Sequence, residues 1–565
     1  MRLICLFCLL STFATAARAI SDADMAVALQ DRTALALDLP DATRWRTQVP
    51  ALYAARSDAP LWLKDRVPTP AALALLAELR AAEVRGLDSA DYAGNRLLLA
   101  AGELAHQDAS LPLRAARFDV ELSVRAARFM TDLHAGRIDP RRAGHDLDVP
   151  HAVLDLPSAL NALANTGDTR AVLDDFEPAL RHYDLLRRSL DQYRELAAQP
   201  ELNALPPLRA RSIKPGERYG GAPALRQLLL TTHDMASADG TGLAVPALAS
   251  ATDNGGELLD DSLVAGIQSF QRRHGLPADG SLGARTFAEL TTPFAHRVKQ
   301  IEWSLERARW LPPRLATPPI LVNIPQFKLF GFYSTEDHED AILQMNVIVG
   351  KTFQNTNTPV FAADMRFVVL RPYWDVPASI LARELLPKIH ANPGYLARNH
   401  FELVHGQGDD GKVLAATPDN IAALARGALR LRQQPGADNS LGLAKFMFPN
   451  SHNVYLHGTP AQSLFGETRR AFSHGCIRIE DPRAFAAFVL RDDPSWNREL
   501  IDKALLRDSP TRINLAKSVR VFIIYATALA TESGRTLFFE DIYGHDRKLE
   551  ALLAARTHMT QSVHE

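Results

Sequence analysis

Residues 455–482 read YLHGTPAQSLFGETRRAFSHGCIRIEDP. His457, His474 and Cys476 fall within 20 positions of one another. A cysteine nucleophile needs a base, because a free thiol titrates near about 8.5. It also needs donors facing the oxyanion that develops during acyl transfer. Gly475 lets the backbone turn sharply beside Cys476, so that successive N–H groups can converge on one oxygen. The stretch therefore supplies a nucleophile, a candidate base and a candidate oxyanion hole. Two other readings stay open on these residues alone: a His/His/Cys zinc site, which lacks a fourth ligand in a CxxC or HExxH pattern, and two structural histidines.

The rest of the chain isolates that cysteine. Of three cysteines, Cys5 and Cys8 lie in MRLICLFCLLSTFATAARA, residues 1–19. Arg2, an apolar run from Leu3 to Ala14, and Ala17-Arg18-Ala19 have the form of a secretory signal, with Ile20 as the first mature residue. The run is too short for an ordinary membrane span; an uncleaved anchor is the alternative. Cleavage would leave Cys476 as a lone thiol in an oxidising space. It would also remove two basic and no acidic residues, moving the net charge from −2 to −4. No basic excess argues for nucleic acid. Apolar residues make up 47% and charged residues 23%, which excludes collagen, a wholly disordered chain and a polytopic membrane protein. At roughly 100–200 residues per domain, 565 residues predict three or four domains.

Residues 20–215 are rich in Ala, Leu and Arg with helical periodicity. Leu73, Leu75, Leu76 and Leu79 mark one helix face, and Phe118, Leu122, Ala126, Phe129 and Leu133 another. The intervening arginines read as a solvated face. GERYGGA (216–222) reads as a linker. A compact unit follows at 223–291, with Leu225, Leu228 and Leu229 on one helix and Leu263, Ile267 and Phe270 on the next. Residues 292–318 read as a linking helix carrying Trp303 and Trp310. From about 319 to 545 the pattern turns to strands: ILVNIPQFKLFGFY, LQMNVIVG, RFVVLRPYW, NVYLHG, and a closing hairpin turning at Ser533-Gly534. An insertion at 380–440 carries helical runs (ILARELLPKI and NIAALARGALRLRQ) and a polar loop, GQGDDGK; its position between strands suggests a lid. Residues 546–565 read as a tail.

Two resemblances sharpen this. AGIQSFQRRHGLPADGSLGARTFAEL resembles the three-helix peptidoglycan-binding domain of cell-wall enzymes, through Phe270, Gln271, His274, Gly275, Leu276, Asp279, Gly280, Gly283 and Thr286. Most of these are turn-forming or core positions. Ser473-His474-Gly475-Cys476, with His457-Gly458 upstream and Arg478 after, resembles the signature of L,D-transpeptidases. Further matches are Val349-Gly350-Lys351 with Thr358-Pro359, Pro372-Tyr373-Trp374 with Val376-Pro377, and Lys445 to Asn450. With the helical N-terminal region and the insertion, the whole is similar to the large capped L,D-transpeptidases of Gram-negative bacteria. Weaker echoes are Tyr53, Arg56, Pro60 and Trp62, then Gly86-Leu87-Asp88 and Tyr92. The run Phe353-Gln354-Asn355-Thr356-Asn357 is longer than in that pattern, a departure that would alter the shape of the groove.

The resemblance implies a multidomain α+β protein: a helical scaffold, a three-helix peptidoglycan-binding-like domain, and a mostly-β catalytic domain with a cap. It implies Cys476 as nucleophile, His457 as general base, and Gly458 orienting that base through its carbonyl. His474 and Ser473 support the loop, and the N–H groups of Gly475 and Cys476 form the oxyanion hole. Arg478 either meets a substrate carboxylate or bridges to Glu480 or Asp481. Tyr455 and Trp374 line the site, with core packing the alternative for Trp374. No metal or cofactor is implied. The implied reaction joins a donor tetrapeptide stem to an acceptor amine as a 3→3 crosslink. The location is periplasmic, and carbapenem-type β-lactams are covalent inhibitors. Water or a lipoprotein amine as acceptor, or a silent wall-binding protein, are the alternatives.

Overall fold

The computed structural model describes residues 19–39, 41–104, 111–147, 149, 154–235, 256–352, 356–392 and 394–562. The signal-like segment to Arg18 and positions 353–355 of the polar run thus lie outside the described residues. By contacts the chain divides into one unit of residues 1–137, 151–178 and 553–565, and a second of 138–150 and 179–552. The units do not follow chain order. The segment 179–215, read from sequence with the scaffold, belongs by contact to the second unit.

The first unit is helical, around α1 (Leu111–Ala135). Phe118, Leu122, Ala126, Phe129 and Leu133 are all buried, as are Leu75, Leu76 and Leu79, whereas Leu73 is about half exposed, at 48%. The arginines correct the sequence reading. Arg85, Arg125 and Arg128 are buried rather than solvated. Burial of a guanidinium is tolerable only with partners. Arg128 pairs with Asp41 and Asp91, Arg85 with Glu78, Asp174 and Glu177, and Arg125 with Glu121. Tyr53 donates to Asp119 at 2.6 Å, and Asp119 also accepts the Leu61 and Trp62 N–H groups at 2.8 Å.

In the second unit, α2 (Arg181–Ala197), α3 (Ala222–Thr231), α4 (Asp261–Arg273), α5 (Ala284–Leu290) and α6 (Phe294–Ala308) share one core. Leu225, Leu228, Leu229, Leu263, Ile267 and Phe270 all enter it. Residues 216–222 are not a free linker: Tyr219 is buried, its hydroxyl donating to the Pro206 carbonyl at 2.6 Å. Gln271 fastens the α4–α5 turn. Its amide nitrogen reaches Asp279, the Ser281 carbonyl and Thr286, and its oxygen accepts the Gly280 N–H at 2.9 Å. Trp303 and Trp310 are both buried.

The strand-rich part has β1 (Ile320–Asn323), β2 (Lys328–Gly331), β3 (Leu343–Gly350), β4 (Phe361–Leu370), β5 (Trp374–Asp375), β6 (Phe401–His405), β7 (Lys412–Leu414) and β8 (Arg430–Gln433). It continues with β9 (Ala444–Met447), β10 (Leu456–His457), β11 (Ala471–Ser473), β12 (Ile477–Ile479) and β13 (Thr511–Ile524). The nine-stranded sheet runs β11-β3-β12-β10-β9-β4-β13-β1-β2, and β2 pairs back onto β3. Eight of these strands close into a ring, which removes the edges of an open sheet, and β11 lies outside it, paired only with β3. The Ser533-Gly534 hairpin forms as a separate pair, β14 (Ala528–Ala530) with β15 (Thr536–Phe538), while the preceding β13 joins the main sheet.

The insertion has the expected helical runs, over 378–391 and Pro418–Ala425, and strands besides. Its three strands join β5, which precedes it, in a four-stranded sheet, β7-β6-β8-β5, over a small core that includes Leu381, Leu385, Ile389, Leu403, Leu424 and Leu431. RLRQ, read as helix, is strand β8: the helix Pro418–Ala425 ends at Gly427, whose φ of 75° stops it. GQGDDGK is the β6–β7 connection. The segment read as a tail carries a helix, α7 (His545–Ser562).

Candidate active site

Strand periodicity builds the site. Strands β10 and β12 run parallel, with Leu456 opposite Ile477 and His457 opposite Arg478. Leu456 and Ile477 are buried on one face. Alternation therefore puts Tyr455, His457, Cys476 and Arg478 on the other face. Strand β9 adds Lys445, opposite His457. Its ammonium lies 4.5 Å from the centre of the Tyr455 ring.

His457 is buried, and its Nδ1 lies 2.5 Å from the Gly458 carbonyl. A carbonyl only accepts, so Nδ1 carries the proton and Nε2 keeps a free lone pair. Burial lowers the His457 pKa to about 3, with Arg478 and Lys445 adding repulsion and the Gly458 bond opposing them. Cys476 is half-buried. Burial raises its thiol pKa, while Tyr455, Lys445 and Arg478 pull it back. At neutral pH the two groups therefore stand as a neutral imidazole and a thiol.

The loop before Cys476 is held from two sides. Gly475 has φ 116°, a conformation L side chains rarely adopt. Ser473 Oγ donates to the Cys476 carbonyl at 2.5 Å and accepts the Gly475 N–H at 3.1 Å. The buried Thr358 hydroxyl donates to the Gly475 carbonyl at 2.8 Å and accepts the Gly350 N–H at 2.9 Å. Tyr543 closes the circuit by donating to the Gly350 carbonyl at 2.6 Å. The Gly475 N–H is thus engaged by Ser473. The Cys476 N–H has no acceptor among the described residues.

The remaining expected residues divide. His474 is exposed, and its Nε2 lies 2.6 Å from Glu384 Oε1. Glu384 belongs to a π-helical turn, Leu381–Leu385, in the insertion, a geometry that often marks functional positions. Arg478 does not bridge to either expected carboxylate. Glu480 accepts the Asn346 N–H at 2.9 Å, and Asp481 caps the helix Pro482–Val489. Among the described residues Arg478 has no ion pair. Trp374 sits on β5 with its ring 6.2 Å from Phe401, against the core of the insertion. Sequence reasoning gave no site role to Lys445, quoted only within the Lys445 to Asn450 match, nor to Glu384 or Tyr543. Among the described residues no three His, Cys, Asp or Glu side chains gather as a metal-ligand set.

Residues 47–190 match the family described as "Scaffold domain". Residues 252–290 match that described as "Putative peptidoglycan binding domain". Over 230 residues the chain is 34% identical to a protein of Haemophilus influenzae named "Putative L,D-transpeptidase". That match covers 41% of this chain and 45% of the relative, so it spans less than half of the relative's length. Residues 318–497, which hold both the His457 strand and the Cys476 loop, match the L,D-transpeptidase catalytic domain. The chain therefore carries a catalytic domain of the L,D-transpeptidase family, joined to a domain of the peptidoglycan-binding type.

Proposed function

We propose that the protein is a periplasmic L,D-transpeptidase that crosslinks peptidoglycan stem peptides through a thioester on Cys476. The observation that carries this is the placement of a neutral, Nδ1-protonated His457 and the Cys476 thiol on one sheet face. His457 Nε2 takes the thiol proton as Sγ attacks the carbonyl of the third residue of a tetrapeptide stem. The C–N bond to the terminal residue breaks, and the same proton goes to the leaving amine. An acceptor amine then attacks the thioester, giving a 3→3 crosslink and restoring the thiol. The Cys476 N–H is the amide assigned to the developing oxyanion. Arg478 and Lys445, both half-buried without a carboxylate partner among the described residues, are assigned to substrate carboxylates. The N-terminal signal reading supports export.

Intact-mass measurement with a carbapenem tests this. The expected result is one covalent adduct, mapped to Cys476 and absent in Cys476→Ala. An adduct that persists in Cys476→Ala would overturn the mechanism. Turnover of a disaccharide-tetrapeptide then separates crosslinking from hydrolysis, by whether a dimer or a tripeptide accumulates.

A further inference from the structure

The chain carries net negative charge, yet one cleft in the second unit is cationic. It has a volume of about 440 Å³. One wall is the α4–α5 region, with Arg272, Gly275, Arg285 and Glu289. The other is the catalytic sheet, with Lys328, Asn346, Arg469 and Arg470. Five cations face two carboxylates, Glu289 and Glu540, along this lining. His274 also lines it, but burial holds its pKa well below the ordinary value, so it is neutral.

The pairing pattern leaves that positive charge available. Glu289 is occupied by Arg297 at 2.5 Å. Glu540 is shared between Arg469 at 3.3 Å and Arg285 at 3.9 Å. Arg470 is buried and spends its donors on the Val347, Glu467 and Phe327 carbonyls. Arg272 is exposed and Lys328 is half-buried, and neither has an ion pair among the described residues. Burial and Arg470 lower the Lys328 pKa, and Glu480 only partly opposes them. The rings nearest the cleft, Phe327 and Phe539, are buried. The lining therefore reads negative groups rather than sugar faces.

The cleft is also placed to serve the reaction. Lys328 lies opposite Asn346 on β3, and the same strand carries Gly350 opposite Ser473. Four residues of strand separate them, roughly 13 Å.

We propose that this cleft is an anion-binding subsite that holds a carboxylate-bearing peptide of a neighbouring peptidoglycan strand while Cys476 acts on its stem. This rests on the transpeptidase reading of the Cys476 site. The wall's own carboxylates supply the attraction that the net charge of the chain denies.

The test uses the full chain in a Cys476→Ala background and purified sacculi, scored by co-sedimentation. Arg272→Glu/Lys328→Glu/Arg285→Glu should bind about tenfold more weakly, the compounded effect of three partly exposed charge pairs. Arg272→Lys/Lys328→Arg should bind normally. Binding should weaken between about 0.05 and 0.5 M salt. With Cys476 present, the charge-reversed protein should keep its carbapenem adduct and its turnover of a soluble tetrapeptide, yet lose crosslinking in sacculi. That adduct keeps the two ideas apart: its loss in the parent protein sinks the transpeptidase reading, not the subsite. Salt-independent binding, or equal binding by the charge-reversed and parent proteins at matched melting temperature, would overturn the proposal. So would equal loss with sacculi whose peptide carboxylates have been amidated.

Discussion

At the scale of single residues, the site is a pair of neutral groups rather than an ion pair. His457 is lowered to about 3 and the Cys476 thiol is raised, both chiefly by burial. The proton-transfer-competent form therefore predominates across the whole interval between them. Stopped-flow acylation by a carbapenem should be flat from pH 5 to 8. A titration with a midpoint near 6.5 would mean an exposed histidine is the base instead. His457→Ala should slow acylation by about 10²–10⁴-fold, the usual worth of a general base. Thr358 makes a quieter contribution. Thr358→Val removes the acceptor of the Gly350 N–H and the donor to the Gly475 carbonyl. Leaving those buried groups unmet should cost about 1–3 kcal/mol in urea unfolding.

At the scale of elements, two segments converge on the Cys476 loop. Residues 356–358 pack so closely against Gly350 that a Cβ there would collide with the Thr356 carbonyl. Gly475 faces a different obstacle: space exists around it, but its φ of 116° does not suit an L side chain. Gly475→Ala should therefore reduce the acylation rate by an order of magnitude or more while leaving far-UV circular dichroism unchanged; normal acylation would show that the loop tolerates another backbone path. The insertion supplies the second contact, through Glu384 and His474. Both side chains are partly exposed, so the pair holds the turn only modestly. Glu384→Ala should raise amide exchange in residues 378–391 by about two- to fivefold, and unchanged exchange would remove the contact as a tie. The strand pattern 320–331 and the catalytic motif were legible because their periodicity and spacing are local. RLRQ was not: its arginines and leucine suit helix or strand, and pairing with β6 and β5 decides for strand.

At the scale of the whole molecule, acid should act unevenly. In the second unit burial lowers His145 to about 2, His457 to about 3 and His545 to about 4. Between pH 6.5 and 4 the unfolded chain binds protons that these folded histidines refuse, so stability falls as pH falls. Each contributes up to about 1.4 kcal/mol per pH unit. In the first unit Asp119, raised to about 6 by burial, acts with the opposite sign: the folded form takes its proton first. Calorimetry at pH 7 and pH 5 should therefore lower the transition of the second unit more than that of the first; equal shifts would contradict this.

The sequence by itself determined the candidate nucleophile and candidate base, the turn residues of the three-helix domain and the α+β character, because each rests on residue types at short, fixed spacing. Tertiary structure alone decided the rest. It brought Lys445 beside Tyr455 from a separate strand, and Thr358 and Tyr543 to the Cys476 loop from opposite ends of the catalytic region. It buried Arg128 against Asp41 and Asp91, where periodicity had suggested a solvated face. It also gathered the cationic cleft from segments spread between residues 272 and 540. The physical reason is common to all of these: a charge or hydroxyl on one element declares itself locally only as polar. Whether it is solvated, paired or poised depends on which distant group the fold sets against it.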